Sequence, residues 1–245
     1  MKKNKKQALV FGLFLTLCSL SSQIYAKESP GSDSLIKDLR TQYPSTTIVA
    51  ENDNSVQLNG NNAEEIEKIV NTIMQKYRAD GAKKPATPGE ISPLDASWCT
   101  SECNEAFRYD SKTTTTGNAE NLAQVQGYHW SNGNVKWTSV GGSTITKWTG
   151  SGTAKIIGHT LTLNVSAVSL GEFTPPSSFK IVDTSKNIAE WKPSDTSYSN
   201  VKASTFNGGS ADSWIFLGDM TFKSDGRVQD PNGYDHYVTA TAVIN

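Results

Sequence analysis

The chain has 245 residues, of which 36% are hydrophobic and 19% are charged, with 23 basic and 24 acidic side chains. Four of the basic residues and none of the acidic ones lie in residues 1–26, which leaves 19 basic and 24 acidic residues and a net charge near −5. Nucleic-acid-binding proteins show clustered Lys and Arg, and binders of anionic lipid show polybasic patches. The weakly acidic composition therefore argues against both classes.

The first 26 residues have the layout of a secretory signal peptide. A lysine-rich start is followed by an apolar run from Ala8 to Leu20 and by a short polar exit that ends at Ala26. The run is shorter than the roughly 20 apolar residues that a membrane-spanning helix needs. We therefore expect residues 1–26 to be removed and the mature protein to be secreted. The lysine-rich start is also typical of a bacterial protein.

The cysteine pattern predicts one short disulfide. Cys18 lies in the signal peptide, so the mature chain keeps only Cys99 and Cys103. In an oxidising compartment, two cysteines at this spacing are expected to pair with each other. A redox-active pair would need C-x-x-C spacing, and a zinc site would need further ligands, whereas the three histidines are scattered. We expect no metal and no cofactor.

Residues 27–80 are predicted to form a small α-β-β-α module. The strongest helix pattern runs from about Ala63 to Arg78 and a shorter one from Leu35 to Gln42, with short strands at Thr46–Ala50 and Ser55–Leu58 between them. The longer helix has one apolar stripe: Ile66, Ile69, Val70, Ile73, Met74 and Tyr77. A module of this size is marginal alone, so we expect it to dock on the rest of the protein.

Residues 81–96 are predicted to be a linker, because they contain three prolines and no apolar rhythm. A cleavable linker would make the preceding module a candidate propeptide, and an intact one would make it a permanent adaptor domain. The sequence leaves both alternatives open.

Residues 97–245 are predicted to form an antiparallel β-sandwich or barrel. Ala123–Trp130 and Val135–Val140 have the pattern of a hairpin around an Asn-Gly turn, and Gly141-Gly142 is expected to end its second strand. His159–Ala167 alternates apolar and polar residues most regularly. Further strands are predicted at Ser143–Trp148, Phe179–Val182, Ile188–Trp191, Trp214–Phe222 and Tyr237–Ile244. Turns are predicted at Asp225-Gly226 and Asp230–Gly233.

All six tryptophans lie in residues 97–245, which suggests an aromatic ligand-binding platform. A flat indole ring stacks on a sugar face and keeps an N–H group for a hydroxyl. Trp130 and Trp137 are expected to face each other across the predicted hairpin. Tryptophans also fill β-sandwich cores, and that alternative remains open. The candidate ligand-binding residues are Trp130, Trp137, Trp148, Tyr128 and His129.

Three functions fit these features. The first is non-catalytic recognition of an extracellular glycan or cell-surface ligand through exposed aromatic residues. The second is a secreted pore-forming toxin, because Ser139–Ser169 is rich in small hydroxyl residues and His159–Ala167 reaches the roughly 9–11 residues of a transmembrane strand. Membrane contact is expected only in that case, and a soluble sandwich strand has the same pattern.

The third alternative is a secreted hydrolase, either a glycosidase or a peptidase. The sequence contains no G-x-S-x-G and no H-E-x-x-H motif. Glu172 and Glu190 could serve as the acid and base of a glycosidase only if the fold brought them within about 5–10 Å. The sequence leans away from an enzyme, and we expect no catalytic residue among the candidates.

Overall fold

The computed structural model describes residues 30–81, 104–132 and 134–245. The predicted signal peptide, the Cys99–Cys103 disulfide and all of the predicted linker except Gly81 lie outside these residues, so these three features stay predictions. The fold is mainly β and antiparallel, with few helices, as the sequence predicted. The described residues from Gly31 onward belong to one compact unit.

The N-terminal part has the predicted α-β-β-α order. Asn62 caps the second helix, since its Oδ1 accepts a hydrogen bond from the backbone N–H of Glu65 at 3.2 Å. The apolar stripe of that helix is buried, and the helix includes Gly81, which the sequence assigned to the linker. The elements are α1 (Pro30–Gln42), β1 (Thr47–Asn52), β2 (Ser55–Gly60) and α2 (Ala63–Gly81).

The rest of the described chain is built from nine strands, and every strand pairing is antiparallel. Several strands are much longer than the sequence suggested. The strands are β3 (Asn104–Thr116), β4 (Ala119–Asn132), β5 (Asn134–Trp148), β6 (Ile156–Thr174), β7 (Lys180–Asp183), β8 (Ile188–Trp191), β9 (Thr196–Ser197), β10 (Val201–Gln229) and β11 (Asp235–Ile244).

Strand β10 is shared by two sheets. Its first residues, Val201–Phe206, lie between β2 and β5, whereas its last residues, Met220–Gln229, lie between β6 and β11. Sheet I therefore has the order β1-β2-β10-β5-β4-β3, and sheet II has the order β11-β10-β6-β8-β7, with β9 also on β6. The register shifts of β10 fall between these two parts, where irregular pairing lets a strand bend.

The N-terminal module docks on sheet I. Strand β2 continues the sheet by pairing with β10, and the apolar stripe of α2 packs on Ile145, Val201 and Ala203. The module thus completes the sheet and buries its outer face. The predicted domain boundaries stay a prediction, since residues 82–103 lie outside the described residues.

Two predicted breaks are wrong. Gly142 lies inside β5 rather than at its end. A Cβ atom at this position would come within 2.4 Å of the Gln124 carbonyl oxygen and 2.6 Å of the Phe206 ring, so no larger residue fits there. Gly226 lies inside β10 rather than in a turn, and its Cβ atom would approach Cγ of Asn121 to 3.1 Å. Both glycines are needed for close packing and not for a change of chain direction.

Strand β3 was not predicted from the sequence. It is an edge strand, and its hydroxyl-rich half lacks the apolar alternation that marks a half-buried strand. Two of its side chains form hydrogen bonds with the backbone of β11 in the other sheet. The Thr114 hydroxyl donates to the carbonyl oxygen of Thr239, and the Asp110 carboxylate accepts from the backbone N–H of Val243 at 2.8 Å. These bonds occupy the outer edge of β11.

A buried polar layer, made of six side chains, interrupts the apolar core between the sheets. Along β4 the inward residues are Ala119, Asn121 and Ala123, so a polar residue separates members of two apolar clusters. The same order recurs on β6, where His159 lies between Ile157 and Leu161. The polar layer consists of Asn121, Thr144, Thr146, His159, Ser204 and Ser224.

Asn121 joins the two sheets. Its Nδ2 donates to the carbonyl oxygens of Ser224 at 2.8 Å and Val238 at 3.2 Å, both in sheet II. The hydroxyls of Thr144 and Thr146 in sheet I lie 3.2 and 3.1 Å from its Oδ1. One buried amide on β4 therefore satisfies backbone and side-chain groups from three other strands, β5, β10 and β11, as burial of polar groups requires.

His159 occupies the other half of the polar layer. Its Nδ1 lies 3.1 Å from the Thr146 hydroxyl and its Nε2 lies 2.8 Å from the Ser204 hydroxyl. Burial, and then the positive charge of Lys202, hold the pKa of His159 well below 6.5. Lys202 is itself buried and donates to Gln57 Oε1 at 2.8 Å; burial lowers its pKa to about 8.

We predict that Asn121→Ala lowers the free energy of unfolding by about 2–3 kcal/mol, because it leaves several buried polar groups without a partner. Urea denaturation measures this change. Asn232→Ala, at an exposed turn position, is the control and should stay within about 0.5 kcal/mol. An equal effect of the two substitutions would contradict a structural role for the polar layer.

We also predict that stability falls as the pH drops below about 6.5. A histidine in the unfolded chain has a pKa near 6.5 and takes up a proton there, whereas folded His159 stays neutral, so the unfolded state binds more protons. Urea denaturation between about pH 7.5 and pH 5 measures the slope. His159→Gln should flatten it more than His129→Gln, since His129 is only half-buried. Equal slopes in the wild type and His159→Gln would contradict the prediction.

Candidate functional site

Three of the five candidate aromatic residues are buried in this structure. Trp137 is 1% exposed and packs in the core between the sheets, and Trp148 is 8% exposed in the smaller apolar cluster. Tyr128 is 8% exposed, and its hydroxyl donates to the carbonyl oxygen of Arg78 at 3.1 Å. These rings occupy core positions, the alternative that the sequence left open. A binding role for them stays a prediction.

The other two candidates lie on β4. Trp130 is opposite Lys136 in the strand register, and Trp137 is opposite His129. The expectation that Trp130 and Trp137 face each other is therefore wrong by one residue. The half-buried His129 ring has its centroid 4.9 Å from that of Trp137. The side chain of Trp130 lies outside the described residues.

The carboxylate pair considered for a glycosidase does not form. Glu190 on β8 is opposite Thr162 on β6, whereas Glu172 lies on β6 ten residues beyond Thr162. Ten strand residues span roughly 30 Å, far more than the 5–10 Å that such a pair needs. Glu172 and Glu190 therefore cannot act together on one glycosidic bond in this fold.

The hydroxyl-rich stretch Ser139–Ser169 is not a hairpin. Its two strands, β5 and β6, lie on opposite sides of β10. Within His159–Ala167, the side chains of Leu161, Leu163 and Val165 are buried in the core. Insertion of this stretch into a membrane would first require the core to open.

Among the side chains that the structure describes, the most exposed aromatic ones lie elsewhere. Tyr198, Tyr234 and Tyr237 are 75%, 71% and 66% exposed. At one end of sheet II, strands β9, β6, β10 and β11 lie side by side, and Tyr198 directly follows β9 while Tyr234 directly precedes β11. Three inter-strand spacings separate these two positions, about 14 Å of backbone. Tyr237 lies on β11 at the same end.

Arg227 lies directly opposite Tyr237 on the neighbouring strand. Its Nε and Nη2 donate to the two carboxylate oxygens of Asp235 at 3.0 and 3.3 Å, and its Nη1 lies 3.7 Å from Asp195. The hydrogen bond to Asp235 raises the pKa of Arg227 above its usual value. The planar, permanently charged guanidinium of Arg227 is thus held on the strand next to the exposed Tyr237.

The predicted turn at Asp230–Gly233 is confirmed and positions Tyr234. The Asp230 Oδ1 accepts from the backbone N–H groups of Asn232 at 2.8 Å and Tyr234 at 2.9 Å. Burial alone would raise the pKa of Asp230, but these bonds and the contact with His236 lower it. Gly233 has φ +97°, which favours glycine. The turn is therefore fixed by its own backbone and carboxylate.

We call this region the tyrosine surface, and it combines exposed rings with paired charges. Such a set can stack on the carbon face of a sugar while the charged groups bond its hydroxyls. Sequence reasoning missed it, although β11 alternates buried Val238 and Ala240 with polar residues and places Tyr237 on the polar side. The tyrosine surface consists of Tyr198, Tyr234, Tyr237, Arg227, Asp195, Asp235 and Lys155.

Comparison with known proteins gives no family: no protein-family profile and no curated protein matches this chain. Within the described residues, no helix is both long and apolar enough to cross a membrane. The same residues contain no group of three or more His, Cys, Asp or Glu side chains that could hold a metal ion.

We predict that truncating a buried aromatic residue destabilises the protein and that truncating an exposed one does not. Trp137→Ala should lower the free energy of unfolding by about 3–5 kcal/mol, because it leaves a cavity in the core. Tyr234→Ala should change it by no more than about 0.5 kcal/mol, because the turn depends on Asp230 and not on the ring. Urea denaturation measures both values. A mild effect of Trp137→Ala would show that this ring is not a core residue.

Proposed function

We propose that this chain is a secreted, non-catalytic binding protein that recognises an extracellular glycan or cell-surface ligand through exposed aromatic residues. The observation that carries the proposal is the grouping of exposed tyrosines. Four large aromatic side chains of the described residues are strongly exposed, and all except Tyr109 lie on the tyrosine surface. A single exposed ring needs no explanation, but the concentration of three at one end of a sheet supports a contact surface.

The charges beside the rings support a polar, hydroxyl-rich ligand. Arg227 keeps part of its surface open while two carboxylates hold its orientation. Lys155 lies close to the turn that carries Tyr234, since a Cβ atom on Gly233 would come within 3.6 Å of its Nζ. Both signs of charge therefore lie among the rings, and a ligand with many donors and acceptors suits this mixture better than an apolar one.

The backbone under the rings is pre-organised. Tyr237 belongs to a strand paired along its whole length with β10, and Tyr234 follows the Asp230 turn. The backbone N–H of Tyr198 donates to the carbonyl oxygen of Lys155 at 3.1 Å. Ordered positions reduce the conformational entropy that binding would otherwise cost.

The test compares glycan binding of the wild type with that of a Tyr198→Ala, Tyr234→Ala, Tyr237→Ala triple variant. A glycan array identifies the best ligand, and calorimetry measures its affinity. We expect the triple variant to lose at least tenfold in affinity, because each ring contributes about 0.5–1.5 kcal/mol. Tyr109→Ala, an exposed tyrosine on sheet I, is the matched control and should bind like the wild type.

Three outcomes would redirect the assignment. Equal binding by the wild type and the triple variant would exclude the tyrosine surface as the site. Leakage of dye-loaded liposomes without glycan binding would favour the pore-forming alternative. Release of new reducing ends from a bound glycan would indicate a hydrolase.

A further inference from the structure

A pocket of about 290 Å³ lies between α2 and the outer face of sheet I, and none of its lining residues belongs to the tyrosine surface. Its floor includes two cross-strand pairs, Glu120 opposite Lys147 and Leu122 opposite Ile145. Glu67 and Asn71 on α2 form one wall, four residues apart and hence on the same side of the helix.

The charged groups of the pocket are unbalanced. The Lys147 ammonium donates to the Glu67 carboxylate, but its Nζ is 3.9 Å from Glu120 Oε2, which is beyond hydrogen-bond distance. Two carboxylates thus share one ammonium, and the lining carries a net charge of −1. The side chains of Lys147 and Glu120 are only 20% and 32% exposed, so water screens this charge incompletely.

The size and floor of the pocket limit the ligand. A volume of 290 Å³ is at the lower end of the roughly 300–1,000 Å³ of small-molecule sites, and it suits a molecule of about one sugar ring or one amino acid. Leu122 and Ile145 offer an apolar contact for a carbon skeleton. The Asn71 amide on the wall adds one donor and one acceptor.

We propose that this pocket binds a small ligand that carries a primary ammonium group. The ammonium lies against Glu120 and Glu67 and neutralises the uncompensated carboxylate charge, while the carbon skeleton contacts Leu122. An amino sugar and a simple aliphatic amine share this chemistry. The site is separate from the tyrosine surface and does not depend on its function.

Calorimetry on the purified protein, with three probes, tests the ligand class. Glucosamine carries an ammonium on a sugar ring, N-acetylglucosamine keeps the ring without the charge, and n-butylamine keeps the charge without the ring. We expect glucosamine to bind at least about fivefold more tightly than N-acetylglucosamine. If n-butylamine matches glucosamine, the ammonium alone is recognised; if it binds more weakly, the sugar ring also contributes.

Two substitutions with opposite expected effects test the role of charge. Glu120→Gln removes one of the two carboxylates with little change in shape and should weaken ammonium binding about three- to tenfold. Lys147→Met leaves two carboxylates without a cation and should strengthen it by a similar factor. Tyr234→Ala on the tyrosine surface is the control and should leave the affinity for glucosamine unchanged.

Three results would overturn the proposal. These are equal affinity for glucosamine and N-acetylglucosamine, no binding of either amine up to about 10 mM, and weaker rather than stronger binding by folded Lys147→Met. If the tyrosine variants lose binding on the glycan array but still bind glucosamine, the result bears on the tyrosine surface and not on the pocket. Failure of this proposal is therefore distinguishable from failure of the proposed function.

Discussion

The hydrogen bonds of the Asn121 side chain set how the two sheets meet. The amide lies in the core, where a polar group without partners would cost several kcal/mol, so it must meet the carbonyl oxygens of Ser224 and Val238. His159 imposes a similar condition through the hydroxyls of Thr146 and Ser204. Two sheets can shift relative to each other more easily across apolar contacts than across a hydrogen-bond network, in which each donor needs a particular acceptor. The polar layer therefore specifies the register between the sheets more strictly than the apolar clusters around it.

Strand β10 connects the two sheets and positions elements of both. Its first part supports β2 and α2, and α2 in turn forms the wall of the pocket over sheet I. Its last part lies between β6 and β11 and places Arg227 beside Tyr237. The two candidate binding regions thus lie on different sheets but depend on the same strand. The pocket is lined by strand and helix positions, which hold side chains accurately, whereas Tyr198 and Tyr234 lie next to strand ends on segments held by backbone hydrogen bonds.

Local sequence patterns predicted the features that depend on neighbouring residues. The apolar stripe of α2 and the Asp230–Gly233 turn were found because their residues interact within a few positions of one another. Gly226 was misread as part of a turn. A glycine is needed there because the side chain of Asn121 packs against it. Asn121 is distant in the sequence, since it lies 103 residues from Ser224, with which it forms a hydrogen bond. Strand β3 was missed because it is an edge strand held by contacts with β4 and β11.

By itself the sequence determined a mainly β fold with an α-β-β-α start, because strand alternation and helical stripes are short-range consequences of which residues must be buried. Tertiary structure decided that Trp137 and Trp148 are buried while the tyrosines are exposed, and it assembled the pocket from α2, β4 and β5. The burial of an aromatic ring and the lining of a pocket depend on which distant strands pack together, and that information is not contained in any local pattern.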